Sequence, residues 1–206
     1  MISKTIAKLP AHPVSDAYLN KEALGFIPIA TGIDVTEIRQ QLDRCPEVWN
    51  ASGVRNKTPA NSHYGVDDIV LRANEPSRLG PDFMKEHQSI WYPEAKKLPA
   101  VVEFIMDTMA FVRGETLGAV VITRPPPGST VKKHVDQTWH AKFYDKFYLQ
   151  IQGHEDQTFC SDHQEYAPNT GDLYWFNNER EHWVHNRSTI DRITLIICIK
   201  VQYGRY

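Results

Sequence analysis

Cysteine is scarce in this chain. Its three cysteines, Cys45, Cys160 and Cys198, are odd in number and widely separated, which argues against a disulfide framework and against any Cys-x-x-Cys zinc site. Reduced thiols are expected. A surplus of either charge is also missing: 23 lysines and arginines stand against 25 aspartates and glutamates, for a formal net charge of -2. Such a balance provides no electrostatic footprint for nucleic acid or for an anionic membrane surface. Long apolar runs are lacking too. The longest, residues 98–112 and 193–201, are short or interrupted by Glu103, Asp107 and Lys200, so neither approaches the roughly 20 residues that span a bilayer. The N-terminal segment carries Lys4 and Lys8 inside its only apolar stretch and has no signal-peptide core, from which a cytoplasmic location and no membrane contact are expected. No internal repeat or low-complexity tract is visible, and 206 residues suit a single domain, 1–206.

What is present changes character near residue 115. Before that point Ile33, Val35, Ile38 and Leu42 lie at helical spacing on a segment opened by Asp34, and Leu98, Val101, Val102, Ile105, Met109 and Val112 recur at steps of three and four. Both segments are expected to be amphipathic helices. Residues 49–93 between them are polar and rich in turn formers, with one strand-like run, Ile69-Val70-Leu71, and are read as mostly loop. His63 and His87 lie in that segment, where they could touch a substrate.

From Gly118 onward the pattern is short runs of period two or of continuous β-branched residues: 119–123, 130–134, 146–152, 156–160, 164–167, 172–176 and 192–201. Strands without intervening helices indicate an antiparallel sandwich or barrel, and a jelly roll fits best. The expected fold is therefore mainly β with flanking helices (α+β), built on a double-stranded β-helix (jelly-roll, cupin-like) core at 118–201. Residues 1–117 would support that barrel and shape its cleft. Alternation along a strand then assigns faces. Phe147, Leu149 and Ile151 share one side of their strand, and Lys146, Tyr148, Gln150 and Gln152 share the other. In the last strand Ile193, Leu195, Ile197 and Ile199 oppose Arg192, Thr194, Ile196 and Cys198. The aliphatic faces are expected against the helices, which leaves the polar ones to line an interior pocket.

His134-Val135-Asp136 supplies an imidazole and a carboxylate on one side of a strand, as two cis ligands of one metal require. A second histidine, His182 or His185, would complete the two-histidine, one-carboxylate set that holds Fe(II) and leaves positions open for substrate and oxygen. Arg192, on the polar face of an otherwise aliphatic strand, needs an anion, because an unpaired buried guanidinium costs several kcal/mol. The partner is either Asp191 or another acid of the chain, or the distal carboxylate of a dicarboxylate cosubstrate gripped in bidentate fashion.

Taken together, Arg124-Pro125-Pro126-Pro127-Gly128 through His134-Val135-Asp136, then 171–176, then His182-Trp183-Val184-His185-Asn186 and Arg192, resemble the aspartyl/asparaginyl β-hydroxylase family of Fe(II)/2-oxoglutarate oxygenases. The resemblance covers about residues 118–201. It implies that His134 and His182 bind iron and that Arg192 binds the C5 carboxylate of 2-oxoglutarate. Thr123 stands where the family has a hydroxyl contacting the same carboxylate. Family spacing to the arginine favours His182 over His185. Some members lack the carboxylate ligand, whereas Asp136 is present here, closer to the wider superfamily's His-x-Asp and His triad. The family's Arg-x-His on the following strand appears as Lys146-Phe147-Tyr148, which keeps a cation and a hydrogen-bonding ring beside the cosubstrate. Trp139, His140 and Tyr144 lie in a segment that is either a substrate lip or aromatic packing on the barrel rim. Trp175, Phe176 and Trp183 either keep the site dry or fill the core.

The resemblance thus implies a dioxygenase that uses Fe(II), 2-oxoglutarate and O2 to hydroxylate an amino-acid side chain of a peptide, a protein or a small amino-acid-like substrate, of prolyl or aspartyl/asparaginyl type. Two other classes fit the scaffold: a metal-dependent cupin-type isomerase or hydrolase, and a non-catalytic jelly-roll binding module.

Overall fold

The computed structural model describes residues 25–52, 61–78, 85–162 and 164–201. The N-terminal residues on which the expected location rests lie outside these. The described chain begins with strand β1 (Phe26–Ala30) and helix α1 (Thr36–Arg44). Asp34 opens that helix, its carboxylate accepting the Thr36 N–H at 2.9 Å, and Ile38 and Leu42 form its buried side. Strands β2 (Asp67–Ala73) and β3 (Ile90–Trp91) follow. Helix α2 (Pro99–Phe111) starts on Pro99, where a missing N–H costs no hydrogen bond. Then come β4 (Gly114–Arg124), β5 (Thr130–His134), a short helix α3 (Trp139–Phe143), β6 (Asp145–Gln152), β7 (Gln157–Ser161), β8 (Gln164–Tyr166), β9 (Leu173–Phe176), β10 (His182–Asn186) and β11 (Ile193–Val201).

These strands form a seven-stranded sheet in the order β1-β9-β6-β11-β4-β2-β3 and a four-stranded sheet in the order β5-β10-β7-β8. Every paired neighbour is antiparallel. One side of the larger sheet, with Phe147, Leu149, Ile151, Leu195, Ile197 and Ile199, packs on Ile38, Leu42, Val101 and Ile105 of the helices. Each such fully buried side chain contributes about 1.5–3 kcal/mol by leaving water. The other side faces the smaller sheet, and Tyr148, Tyr174 and Phe176 meet Val131, Phe159 and Val184 there. The architecture is a double-stranded β-helix with its helices on one flank, and strand parity assigned both faces as found. Among the described residues no helix is long and apolar enough to cross a membrane.

Residues 49–93 depart from the loop-rich expectation, because β2 and β3 extend the larger sheet, and β1, for which no strand was anticipated, extends it at its other edge. β1 carries Pro28, which disguises it in sequence. It lies at the sheet edge, the place in a sheet that tolerates a missing N–H. β10 was likewise not anticipated as a strand.

Candidate metal centre

Two strands of the smaller sheet bring the first donors together. β5 ends on His134 and β10 begins on His182, and the pairing register sets these residues opposite each other. The connection that fixes this register is the Pro-Pro-Pro-Gly turn. Gly128 adopts φ 74°, a left-handed conformation that favours glycine, and its N–H donates to Asn186 O at 2.8 Å while the Asn186 N–H donates to Ser129 O at 3.0 Å. Asn186 is fully enclosed. Its amide donates to Pro125 O (3.0 Å) and Ile190 O (2.9 Å), and its Oδ1 accepts from Ser188 N–H (3.2 Å) and Oγ–H (2.7 Å). The same turn holds the next functional residue, since the Arg192 N–H donates to Pro125 O at 3.0 Å.

Asp136, just beyond β5, completes the cluster. One ligand atom from each of His134, Asp136 and His182 lies within 4.8 Å of the others. His182 Nε2 is 3.7 Å from Asp136 Oδ2, and His134 Nε2 is 4.0 Å from Oδ1. Both imidazoles are oriented from behind: His134 Nδ1 meets Lys132 O at 2.6 Å and His182 Nδ1 meets Arg180 O at 2.9 Å. A carbonyl accepts, so each Nδ1 carries the proton and each Nε2 presents a lone pair towards the carboxylate, the arrangement a divalent metal needs.

The charges agree with that reading. Burial alone would raise the Asp136 carboxyl, but the Lys146 ammonium, which donates to it, together with both imidazoles holds it well below the usual carboxylate range. Burial lowers the His182 imidazole to about 4, with Lys146 adding to the effect and Asp136 opposing it. His182 is therefore neutral at neutral pH, as a ligand must be. Burial pushes the Tyr148 hydroxyl up, and it remains protonated.

Arg192 stands at the other end of the interior, 2% exposed. Its Nη2 donates to Tyr174 Oη at 3.2 Å, whereas its buried Nε has no hydrogen-bond partner among the described residues. The ion pair with Asp191 does not form, because Asp191 approaches Arg124 instead. Thr123 pairs in register with Thr194, two residues beyond Arg192, so Thr123 and Arg192 share the interior face. Tyr148 stacks on Tyr174 with ring centroids 5.3 Å apart. The larger sheet thus carries a buried, under-satisfied cation, a hydroxyl and two phenols, a donor set suited to a carboxylate.

His185 does not join the cluster. It lies on the opposite face of β10, its Nδ1 beside Thr130 Oγ1 (3.2 Å) and its Nε2 accepting the Trp183 indole N–H (3.1 Å). Trp183 shares that outward face and carries Lys133 over its ring, so it does not dry the site, and Trp175 packs on the helix side. Phe176 does serve there, 4.8 Å from the His182 ring. Trp139, His140 and Tyr144 form helix α3 and its C-cap rather than a loop, and His140 stacks on His87 at 5.8 Å. Tyr174 was missed as a site residue, and His63, anticipated as able to touch a substrate, was not anticipated beside the metal donors. Tyr174 had a signal, since β9 has a two-residue period; His63, 5.4 Å from the His134 ring, had none beyond its polar surroundings.

A jelly roll that carries two imidazoles and a carboxylate at one end of its interior places this chain in the oxygenase class. Residues 35–201 match the aspartyl/asparaginyl beta-hydroxylase family, and the chain belongs to it. Among solved structures it is similar to an oxidoreductase of the 2OG-Fe(II) oxygenase family from Burkholderia pseudomallei, with a TM-score of 0.55, 10% identity, and 95% of this chain and 94% of that chain covered. It is also similar to a prolyl hydroxylase from Trichoplax adhaerens, solved with a hypoxia inducible factor oxygen degradation domain peptide fragment. There the TM-score is 0.57, identity 11%, and coverage 86% and 84%. No curated protein matches the chain.

Proposed function

We propose that this protein is an Fe(II)- and 2-oxoglutarate-dependent dioxygenase that hydroxylates a C–H bond of an amino-acid side chain in a peptide or protein. One juxtaposition carries the reading: three metal donors within 4.8 Å of one another share an interior with a buried arginine whose Nε is unsatisfied. His134, Asp136 and His182 would hold the iron, and Arg192 with Thr123 would hold the C5 carboxylate of 2-oxoglutarate. Lys146, which donates to Asp136, would flank the metal end of the same molecule, and Tyr148, stacked on Tyr174, would flank its C5 carboxylate. Iron, when bound, supplies the coupled oxidation in which one atom of O2 enters substrate and the other enters succinate as CO2 leaves.

The chain's own contribution is placement. The carbonyls of Lys132 and Arg180 keep the two Nε2 lone pairs convergent. Arg192 fixes the distance between the anchored carboxylate and the metal donors, because it is locked by Pro125 O and Tyr174. Phe159, Phe176 and Tyr148 exclude water from the interior and so limit uncoupled oxidation. The family name supports aspartyl or asparaginyl side chains as substrate. A cupin-type isomerase or hydrolase, or a binding module, has no special need of a buried arginine whose Nε is left unsatisfied, which favours the oxygenase.

Anaerobic titration with Fe(II) and 2-oxoglutarate tests this. The weak visible charge-transfer band of the chelate is expected in wild type, at roughly tenfold or more higher 2-oxoglutarate in Arg192→Ala. His134→Ala, Asp136→Ala and His182→Ala should each abolish succinate formation. Metal binding without the band, or turnover retained in all three variants, would refute the assignment.

A further inference from the structure

We infer that His63, on the loop of residues 61–66, is a positioning residue of the metal centre: it braces the His134 imidazole and completes a clamp that sets that ring's orientation. The inference rests on the metal reading of His134. Three observations place the loop. Its turn is preformed, since the His63 N–H donates to Asn61 Oδ1 (2.9 Å), the Tyr64 N–H to Asn61 O (3.1 Å) and the Val66 N–H to His63 O (3.0 Å). Its far end is anchored by Val66, 2% exposed within the interior aromatic cluster. It docks on β5 through the Lys132 N–H, which donates to Ser62 O at 3.2 Å.

Lys132 is the residue whose carbonyl holds His134 Nδ1 at 2.6 Å. One peptide unit of the loop therefore grips the N–H of Lys132, the carbonyl of Lys132 grips the ligand, and His63 contacts the ligand ring directly. The two rings meet edge to face, with centroids 5.4 Å apart and planes at 77°, a favoured aromatic geometry. Ser62 Oγ lies 3.1 Å from His63 Nδ1 and fixes the bracing ring in turn. His134 stands at the free edge of the smaller sheet, where β5 has a strand neighbour on one side alone. The loop supplies the missing lateral support.

Removing such outer support from a metal-bound histidine typically costs 10–100-fold in metal affinity. Co(II), whose visible bands report ligand geometry, is the probe, added anaerobically to the full chain as wild type, His63→Ala and His63→Phe. His63→Ala should weaken Co(II) binding about tenfold and shift its visible bands. His63→Phe keeps the edge-to-face contact and should stay within about threefold of wild type. Metal-free melting temperatures should agree within about 4 °C, because His63 lies outside the helices and strands and its ring meets the end of β5. Should His63→Ala fail to fold, His63→Gln, polar but ringless, takes its place. Wild-type affinity and an unchanged spectrum in the ringless variant would overturn the proposal, as would equal weakening in His63→Phe. If wild type itself binds no Co(II), the metal reading falls and this inference with it.

Discussion

His140 shows what burial does to one side chain at the rim. It is 9% exposed, and its Nε2 accepts the Ala119 N–H at 3.0 Å, a bond that only the unprotonated nitrogen can accept. Burial first, then the nearby Lys146 and His87, lower the imidazole to about 3 from an ordinary 6.5. Between those pH values the unfolded chain binds a proton that the folded chain refuses, so this stability is complete above pH 6.5 and is lost as pH falls towards 3. From pH 7 to pH 5 the loss is about 2 kcal/mol. Denaturant unfolding at the two pH values should show wild type losing about that much more than His140→Gln, which keeps an acceptor for Ala119; parallel losses would contradict the assignment. At this scale the sequence was informative where spacing carries chemistry, as in His134-Val135-Asp136 and the interval from His182 to Arg192. It was silent where contacts are made across the chain. Nothing near Asn61-Ser62-His63 announces that His63 packs on a residue 71 positions later.

Among elements, the turn closed by Asn186 joins what the two sheets carry. Its side chain makes four buried hydrogen bonds, to Pro125, Ile190 and Ser188, and Pro125 O also accepts from Arg192. Asn186→Ala should cost about 2–4 kcal/mol, because the carbonyls of Pro125 and Ile190 lose a donor in a closed space. It should also weaken 2-oxoglutarate binding more than Co(II) binding, since the side chain bears on Arg192 through Pro125, whereas the register that sets His134 is kept by the backbone bonds of Gly128, Ser129 and Asn186, which the substitution leaves in place. Thermal unfolding and the two ligand titrations check this; equal loss of both ligands would mean that the turn supports the whole interior. Legibility at this scale followed hydrophobic period. α1, α2, β6 and β11 bury one continuous apolar face and were readable. β10 was not, because His182-Trp183-Val184-His185-Asn186 alternates by function, ligand and interior residues on one side and half-exposed rings on the other.

At the scale of the molecule, among the described residues, α1 and α2 back the larger sheet. The jelly-roll class was legible because turn-separated strands without crossover helices admit few other closures. Of the three strands that residues 25–93 add to the larger sheet, β2 was signalled by Ile69-Val70-Leu71, whereas β1 and β3 were not legible, since they lie at its edges, are short, and lack a clean alternation. The proposed substrate class rests on the family resemblance and not on composition, which only argued against nucleic acid and membrane.

The division of donors between the sheets has a mechanical consequence. His134 and His182 belong to the smaller sheet, Thr123 to the larger, with Arg192 at the start of β11. With the proposed roles, a metal alone would be a fastening within one wall, whereas metal with 2-oxoglutarate would be a rivet through both. Amide exchange should slow in β5 and β10 on adding Co(II), and should slow in β4 and β11 only when 2-oxoglutarate follows under anaerobic conditions. Protection of all four strands by metal alone would mean that the walls are already coupled, and the cosubstrate would then enter a rigid box instead of closing a soft one.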